Sequence, residues 1–202
     1  MPRWEPDAAE RLERAALELF AEQGFDHTTV PEIAQRAGMT TRSFFRHFPD
    51  KREVLFHGDD ALPDRIALLM ANAPGSLSIM EMLIWGCETM ARNVLQDQRA
   101  GFVARRAIIG TDAGLQEREL RKQAKIAEAI TEALATAGLD PLWTVVAGKL
   151  AVTISSTAFG RWLGAPDDRP LVDHVREVAA TLTQLVSDGS SWLELAEPRP
   201  VS

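Results

Sequence analysis

The sequence is poor in the residues on which most chemistry depends. One cysteine, Cys87, in 202 residues excludes an internal disulfide framework and points to a reducing compartment, the cytoplasm. His27, His47, His57 and His174 are scattered, with no HExxH spacing and no cysteine cluster for zinc. No serine stands in a nucleophile elbow, and no glycine-rich loop is set to cradle a phosphate. The sequence therefore leads us to expect no catalytic residue, no metal site and no cofactor. The longest stretch of the C-terminal half free of charge and proline, Leu150 to Gly160, is far short of a membrane span. The first residues, MPRWEPDAAER, lack the apolar run of a signal peptide. Positive charge is scarce too: the net charge is −7, which argues against nonspecific coating of nucleic acid. A local basic face stays open, because screening confines attraction to about 8 Å. Repeats and strand-type alternation are missing as well.

What is there is helical periodicity. Asp7 and Glu10 form a capping box opening a helix to about Gln23, with Leu12, Ala16, Leu19 and Phe20 as its apolar stripe. Glu10, Glu13, Glu18 and Glu22 cover its solvent side and pair in part with Arg11 and Arg14. Val54 to Phe56 belong to a helix starting at Lys51, which the run Gly58 to Pro63 bends or breaks, since interior proline costs about 3 kcal/mol. Ser78 to Gln96 is apolar on nearly all sides and reads as a buried helix. Helices follow at 99–109, 116–137, 141–163 and 171–186, the third announced by the capping aspartate and proline of Asp140-Pro141. From Ser187 the chain turns Gly-, Ser- and Pro-rich, a tail anchored by Trp192 and Leu193. The fold class is all-α, with about nine helices.

The most specific stretch is 28–51, TTVPEIAQRAGMTTRSFFRHFPDK. Thr29 and Glu32 are spaced as a capping box, and Pro31 sits in the first turn, where its missing N–H costs little. Ile33, Ala34 and Ala37 point inward, Gly38 supplies the turn, and Thr40 caps a second helix led by Thr41, Arg42 and Ser43. Phe44 and Phe48 anchor that helix on the core. Between Met39 and Phe56 the basic residues Arg42, Arg46, Lys51 and Arg52 outnumber Asp50 and Glu53. This is a helix-turn-helix with a polar, basic leading end.

With Phe20, Gly24, Phe25, Thr28 and FFRHFPDK at 44–51, the stretch resembles the DNA-binding domain of TetR/AcrR-type repressors over roughly residues 8–56. The rest of the chain shares with that family only a helical pattern of suitable length. The resemblance implies a three-helix DNA-binding domain at 1–56, a ligand-binding and dimerisation domain at 57–187, and a tail at 188–202. It also implies DNA contacts from Thr29, Thr40, Thr41, Arg42 and Ser43, and from Phe45, Arg46, His47 and Lys51. Arg42 either pairs bidentately with a guanine or neutralises a phosphate. Lys51, opening its helix, would meet a phosphate with both ammonium and helix dipole. Phe45 stands where the family usually has tyrosine, so a hydroxyl–phosphate bond of about 1 kcal/mol is missing.

Met82, Trp85, Gly86, Met90 and Asn93, with Phe102, Trp143 and Phe159, are either pocket lining for a small-molecule effector or plain core. Arg105, Arg106, Arg118, Arg121 and Lys122 either receive an anion or form a solvated face paired with Glu117 and Glu119. Gly148, Ala151, Ser155, Ala158 and Gly160 allow close helix approach, and Leu171, Val175, Val178, Leu182 and Leu185 form an apolar seam. The seam is buried either within one subunit or in a homodimer, and the family implies the latter. For that interface we single out Ala151, Ser155, Ala158, Val175, Val178, Leu182 and Leu185. The expectation is a homodimeric, ligand-responsive repressor reading a palindromic operator in double-stranded DNA. Activation by the same fold is the alternative; a helical adaptor or small enzyme is a remoter one.

Overall fold

The computed structural model describes residues 8–187. The expected Asp7 cap and the 188–202 tail, with Trp192 and Leu193, lie outside the described residues. Within them the chain forms nine α-helices and no strand: α1 (Ala8–Gln23), α2 (Val30–Arg36), α3 (Thr41–His47), α4 (Leu62–Ala71), α5 (Ile79–Met90), α6 (Arg99–Ile109), α7 (Ala113–Thr136), α8 (Pro141–Gly164) and α9 (Leu171–Ser187). Asp112, Ser78 and Asp140 act as expected of N-cap residues, accepting from the backbone N–H of Leu115, Glu81 and Leu142.

Two expectations for the middle of the chain are corrected. No α-helix starts at Lys51: the segment Glu53–Phe56 is a short 3-10 helix, Gly58 breaks the chain at φ 84°, and a second 3-10 turn, Asp59–Ala61, leads into α4. The interruption foreseen at 58–63 is therefore present, with Pro63 in the first turn of α4 where it costs least. Nor is Ser78–Gln96 one buried helix. It passes from α5 through a π-helical turn, Ala91–Leu95, into a 3-10 turn, and of its described side chains only Leu83, Gly86 and Ala91 are buried.

Three apolar clusters hold the chain together. The first joins α1, α2, α3 and the Glu53–Phe56 turn, and Ile108 of α6 and Leu115 of α7 complete it. The N-terminal head is thus closed by residues from beyond position 100. The second packs α9 (Leu171, Val175, Ala179) on α8 (Ile154, Ala158, Trp162) and Ala91. The third lies between α4, α5, α7 and α8, around Ile66, Leu83, Ile130 and Ala151. α8 is long and apolar enough to cross a membrane by length and composition alone, a test that core helices also pass; it packs on α5, α6, α7 and α9.

Candidate nucleic-acid interface

The helix-turn-helix is assembled from local rules. At the start of α2 the Glu32 carboxylate accepts from the Thr29 N–H at 2.8 Å and the Thr29 hydroxyl at 2.6 Å. The hydroxyl bond and then the N–H hold the Glu32 carboxyl below its usual range. Ile33 and Ala34 face α1, and Gly38 turns the chain at φ 69°. There Arg11 donates to the Ala37 carbonyl at 2.6 Å, bracing the turn from α1. Thr40 caps α3 by accepting from Ser43 N–H at 3.1 Å. Phe44 and Phe48 sink into the first cluster with ring centroids 5.6 Å apart.

Anchoring one face of α3 in this way turns the opposite face outward. Thr41, Arg42, Phe45 and Arg46 are exposed there, Phe45 at 53%. Arg42 and Arg46 make no hydrogen bond or ion pair among the described residues, whereas Arg36 next door is held by Glu18 and Glu22. Ser43 is half-buried against Thr40. His47 is half-buried, its Nε2 enclosed without a partner among the described residues.

Lys51 behaves differently from the expectation. With no α-helix opening at this point, it has no helix dipole to share with an anion, and its ammonium faces inward. It donates to the carbonyls of Phe25 (2.7 Å), Thr28 (2.9 Å) and Asp26 (3.3 Å) and lies 4.4 Å from the centroid of the Phe25 ring. The pairing expected along α1 is also corrected. Glu18 and Glu22 bind Arg36 of α2, and Glu13 binds Arg105 of α6.

That last pair belongs to a contact between the head and the α6–α7 corner. Arg105 donates to Glu13; Arg118 makes two bonds of 3.0 Å to Glu53 and lies 4.6 Å from the centroid of the Phe56 ring. Lys122 stands 4.0 Å from Asp59 and 2.7 Å from Glu119. Burial pushes the Asp59 carboxyl up, with Lys122 opposing it. Of the basic cluster, then, Arg121 and Lys122 pair with Glu117 and Glu119 as a solvated face would, while Arg105 and Arg118 tie the head down.

The pocket candidates do not converge. Phe102 and Phe159 meet edge to face at 5.1 Å in the second cluster, and Met82 packs on the third. Gly86 is buried with Leu69 3.8 Å from where its Cβ would stand. Trp85 and Met90 are half-buried and Asn93 is exposed. Trp143 is 62% exposed on the outside of α8. An open depression of about 460 Å³ lies elsewhere, lined by Val103, Arg106, Ala107, Gly110, Thr111, Leu163 and Gly164.

The interface candidates differ in burial. Ala151, Ala158 and Val175 are in the chain's own core, and Ser155, Val178 and Leu182 are half-buried. Of the seven only Leu185 is exposed. The seam of α9 is occupied by α8 and α5, leaving the reverse face of α8, with Val145 and Val146, uncovered.

The profile of the family described as "Bacterial regulatory proteins, tetR family" matches residues 13–57, the helix-turn-helix and its brace. Over 45 residues, 22% of this chain, the sequence is 53% identical to the HTH-type transcriptional regulator TcmR of Streptomyces glaucescens. The aligned part spans only 20% of TcmR. Solved structures extend the likeness to the whole fold. The fatty acid degradation regulator FadR of Bacillus halodurans is 16% identical with a TM-score of 0.58, covering 93% of this chain and 98% of that one. The TetR-family repressor FadR of Thermus thermophilus, solved in complex with lauroyl-CoA, is 20% identical with a TM-score of 0.55, covering 96% and 99%. Residues 13–57 thus carry the DNA-binding domain sequence of the tetR family of bacterial regulatory proteins, and the chain as a whole has the fold of solved TetR-family regulators.

Proposed function

We propose that the protein is a sequence-specific DNA-binding transcriptional regulator, a ligand-responsive repressor that acts as a homodimer on a palindromic operator. The observation that carries the reading is α3: a helix anchored by Phe44 and Phe48 with Thr41, Arg42, Phe45 and Arg46 turned outward, both arginines unpaired among the described residues. A helix presented this way enters the major groove, where its leading residues meet base edges and phosphates. Thr40 and Ser43 frame that end, with Thr29 at the start of α2 and His47 at the far end of α3. A palindrome needs two heads about 34–36 Å apart, or a multiple, hence two copies. The copies meet through the outer face of α8, around Val145 and Val146, since the seam facing α9 is already filled.

Effector control follows from linkage: a ligand that binds one head spacing better than another lowers operator affinity by that difference. The T. thermophilus FadR complex with lauroyl-CoA supports a small-molecule effector and suggests long-chain acyl compounds as first probes.

The test starts with a duplex enriched by the wild-type protein from a random double-stranded library. Arg42→Ala and Arg46→Ala are expected to weaken binding and to flatten the salt dependence by about 0.9 in log–log slope for each phosphate no longer neutralised. Unchanged affinity and slope in both variants would place the reading face elsewhere. Lauroyl-CoA and other candidate effectors are then titrated against the complex. Equal operator affinity with every ligand that binds the protein would remove the inducible part of the proposal.

A further inference from the structure

Three carbonyls of one turn converge on a single cation. The turn between α1 and α2 leaves Gly24 at φ 86° and carries Phe25 into the head core, 5.1 Å from Phe20. Its own bonds are few: Thr28 hydroxyl to Gly24 carbonyl at 2.8 Å, Gln23 amide to His27 carbonyl at 3.2 Å, and Thr28 N–H to Phe25 carbonyl at 3.3 Å. The carbonyls of Phe25, Asp26 and Thr28 turn the same way and meet Lys51 Nζ, reached across more than twenty residues of chain. An ammonium has three donors, and here three acceptors take them.

We propose that Lys51 is a positioning residue of the DNA interface and not a phosphate contact. The inference rests on the DNA-binding reading above. Its ammonium ties the α1–α2 turn to the chain just after α3, so both ends of the helix-turn-helix are pinned to one point. It acts through Thr29, the residue after the bonded Thr28 and the start of α2, and through the placement of α3 that follows. To reach a phosphate, Lys51 would have to leave three carbonyls, two of them in part-buried bonds, and the face of Phe25. The exposed Arg42 and Arg46 have no such ties to break among the described residues.

The experiment uses the full chain and the library-enriched duplex. If the wild type enriches no duplex, the DNA-binding reading itself fails and the Lys51 inference falls with it. With a duplex in hand, Lys51→Met is expected to weaken binding about tenfold, a shift of 1.4 kcal/mol, while its salt slope stays that of the wild type. Arg42→Ala on the same duplex lowers the slope. A slope lowered by about 0.9 per protomer in Lys51→Met makes Lys51 a phosphate contact and overturns the inference. So does unchanged affinity with a lowered melting temperature, which is the mark of a merely structural lysine. Reductive methylation of the wild type needs no variant to fold. Lys51 is expected to react slowly beside exposed Lys125 and Lys149 both without and with the duplex, whereas protection that appears only with the duplex overturns the inference.

Discussion

On α8, Gly148 faces α7 so closely that a Cβ built there would lie 2.5 Å from the Ala127 carbonyl oxygen and 2.6 Å from Thr131 Oγ1. The first of these is backbone and cannot swing aside, so Gly148→Ala is expected to destabilise the protein by about 1–3 kcal/mol, as overpacking does; urea denaturation reads it as a lower midpoint at unchanged slope. Glycine here serves the contact with α7 within the chain, where the sequence suggested an approach between copies. His174 gives a second residue-scale prediction. It is 3% exposed, with neither ring nitrogen bonded among the described residues. Burial lowers its pKa below the ordinary 6.5, helped by Arg169 and Arg161 and opposed by Glu177 and Asp167. A histidine depressed in the folded state is less protonated there than in the unfolded chain, so its stabilising contribution is complete above 6.5 and is lost as pH falls through the folded value. His174→Phe should remove that part of the acid-side decline in melting temperature; an unaltered pH profile would mean that the imidazole titrates as freely in the fold as out of it.

Between elements, the head is held by the α6–α7 corner as well as by its own chain connection. Glu13 with Arg105 and Glu53 with Arg118 are part-buried pairs, and Ile108 and Leu115 sit beneath them. A double-mutant cycle on Glu53→Gln and Arg118→Met is expected to show a coupling of about 0.5–3 kcal/mol, as for residues in direct contact; additive single effects would show that the pair only neighbours the apolar contact. Asp59 in the same corner has the opposite sign to His174. Its carboxyl is raised by burial, so the folded state holds its proton longer and stability falls as pH rises from 3.8 through the folded value. Asp59→Asn should flatten that fall. A shift of α6 or α7 would move Ile108 and Leu115, which are part of the head core, so a signal of the proposed kind would have a route to the head besides the interrupted stretch at 58–63.

For the whole molecule, the distribution of apolar surface bears on where the second copy of the proposed dimer would fit. Val145 and Val146 are 44% and 46% exposed on α8, while Val175 is 2% exposed in the core. Val146→Asp is therefore expected to leave the fold intact, halve the mass seen by light scattering and weaken operator binding, since one head reads only half a palindrome. Val175→Asp should instead unfold the chain, because it buries an unpaired charge. A dimer that survives Val146→Asp would move the interface to another face.

Much of this was legible from residues alone where the determining interactions are short in sequence. Helix ends at Thr40, Asp140 and Gly38, the break at Gly58, and the inward set Ile33, Ala34, Phe44 and Phe48 all follow from caps, left-handed glycine and helical spacing, which act within a turn or two. The outward face of α3 followed from the same periodicity. What could not be read there depends on partners far apart in the chain. Periodicity shows that α8 and α9 have apolar stripes but not which neighbour covers them, so the sequence left open whether Ala151, Ala158 and Val175 pack within one chain or between copies, and they lie in the chain's own core. Spacing shows that Lys51 follows the recognition helix but not that the carbonyls of Phe25, Asp26 and Thr28 are waiting for its ammonium. The sequence by itself determined the all-α class and the caps and turn of the helix-turn-helix, because those rest on local backbone chemistry, but not the 3-10 and π turns at 53–61 and 91–98. Only the tertiary structure decided which charges are spent inside the chain and which, like Arg42 and Arg46, are left for a partner, because a salt bridge or a buried seam exists only once distant segments meet.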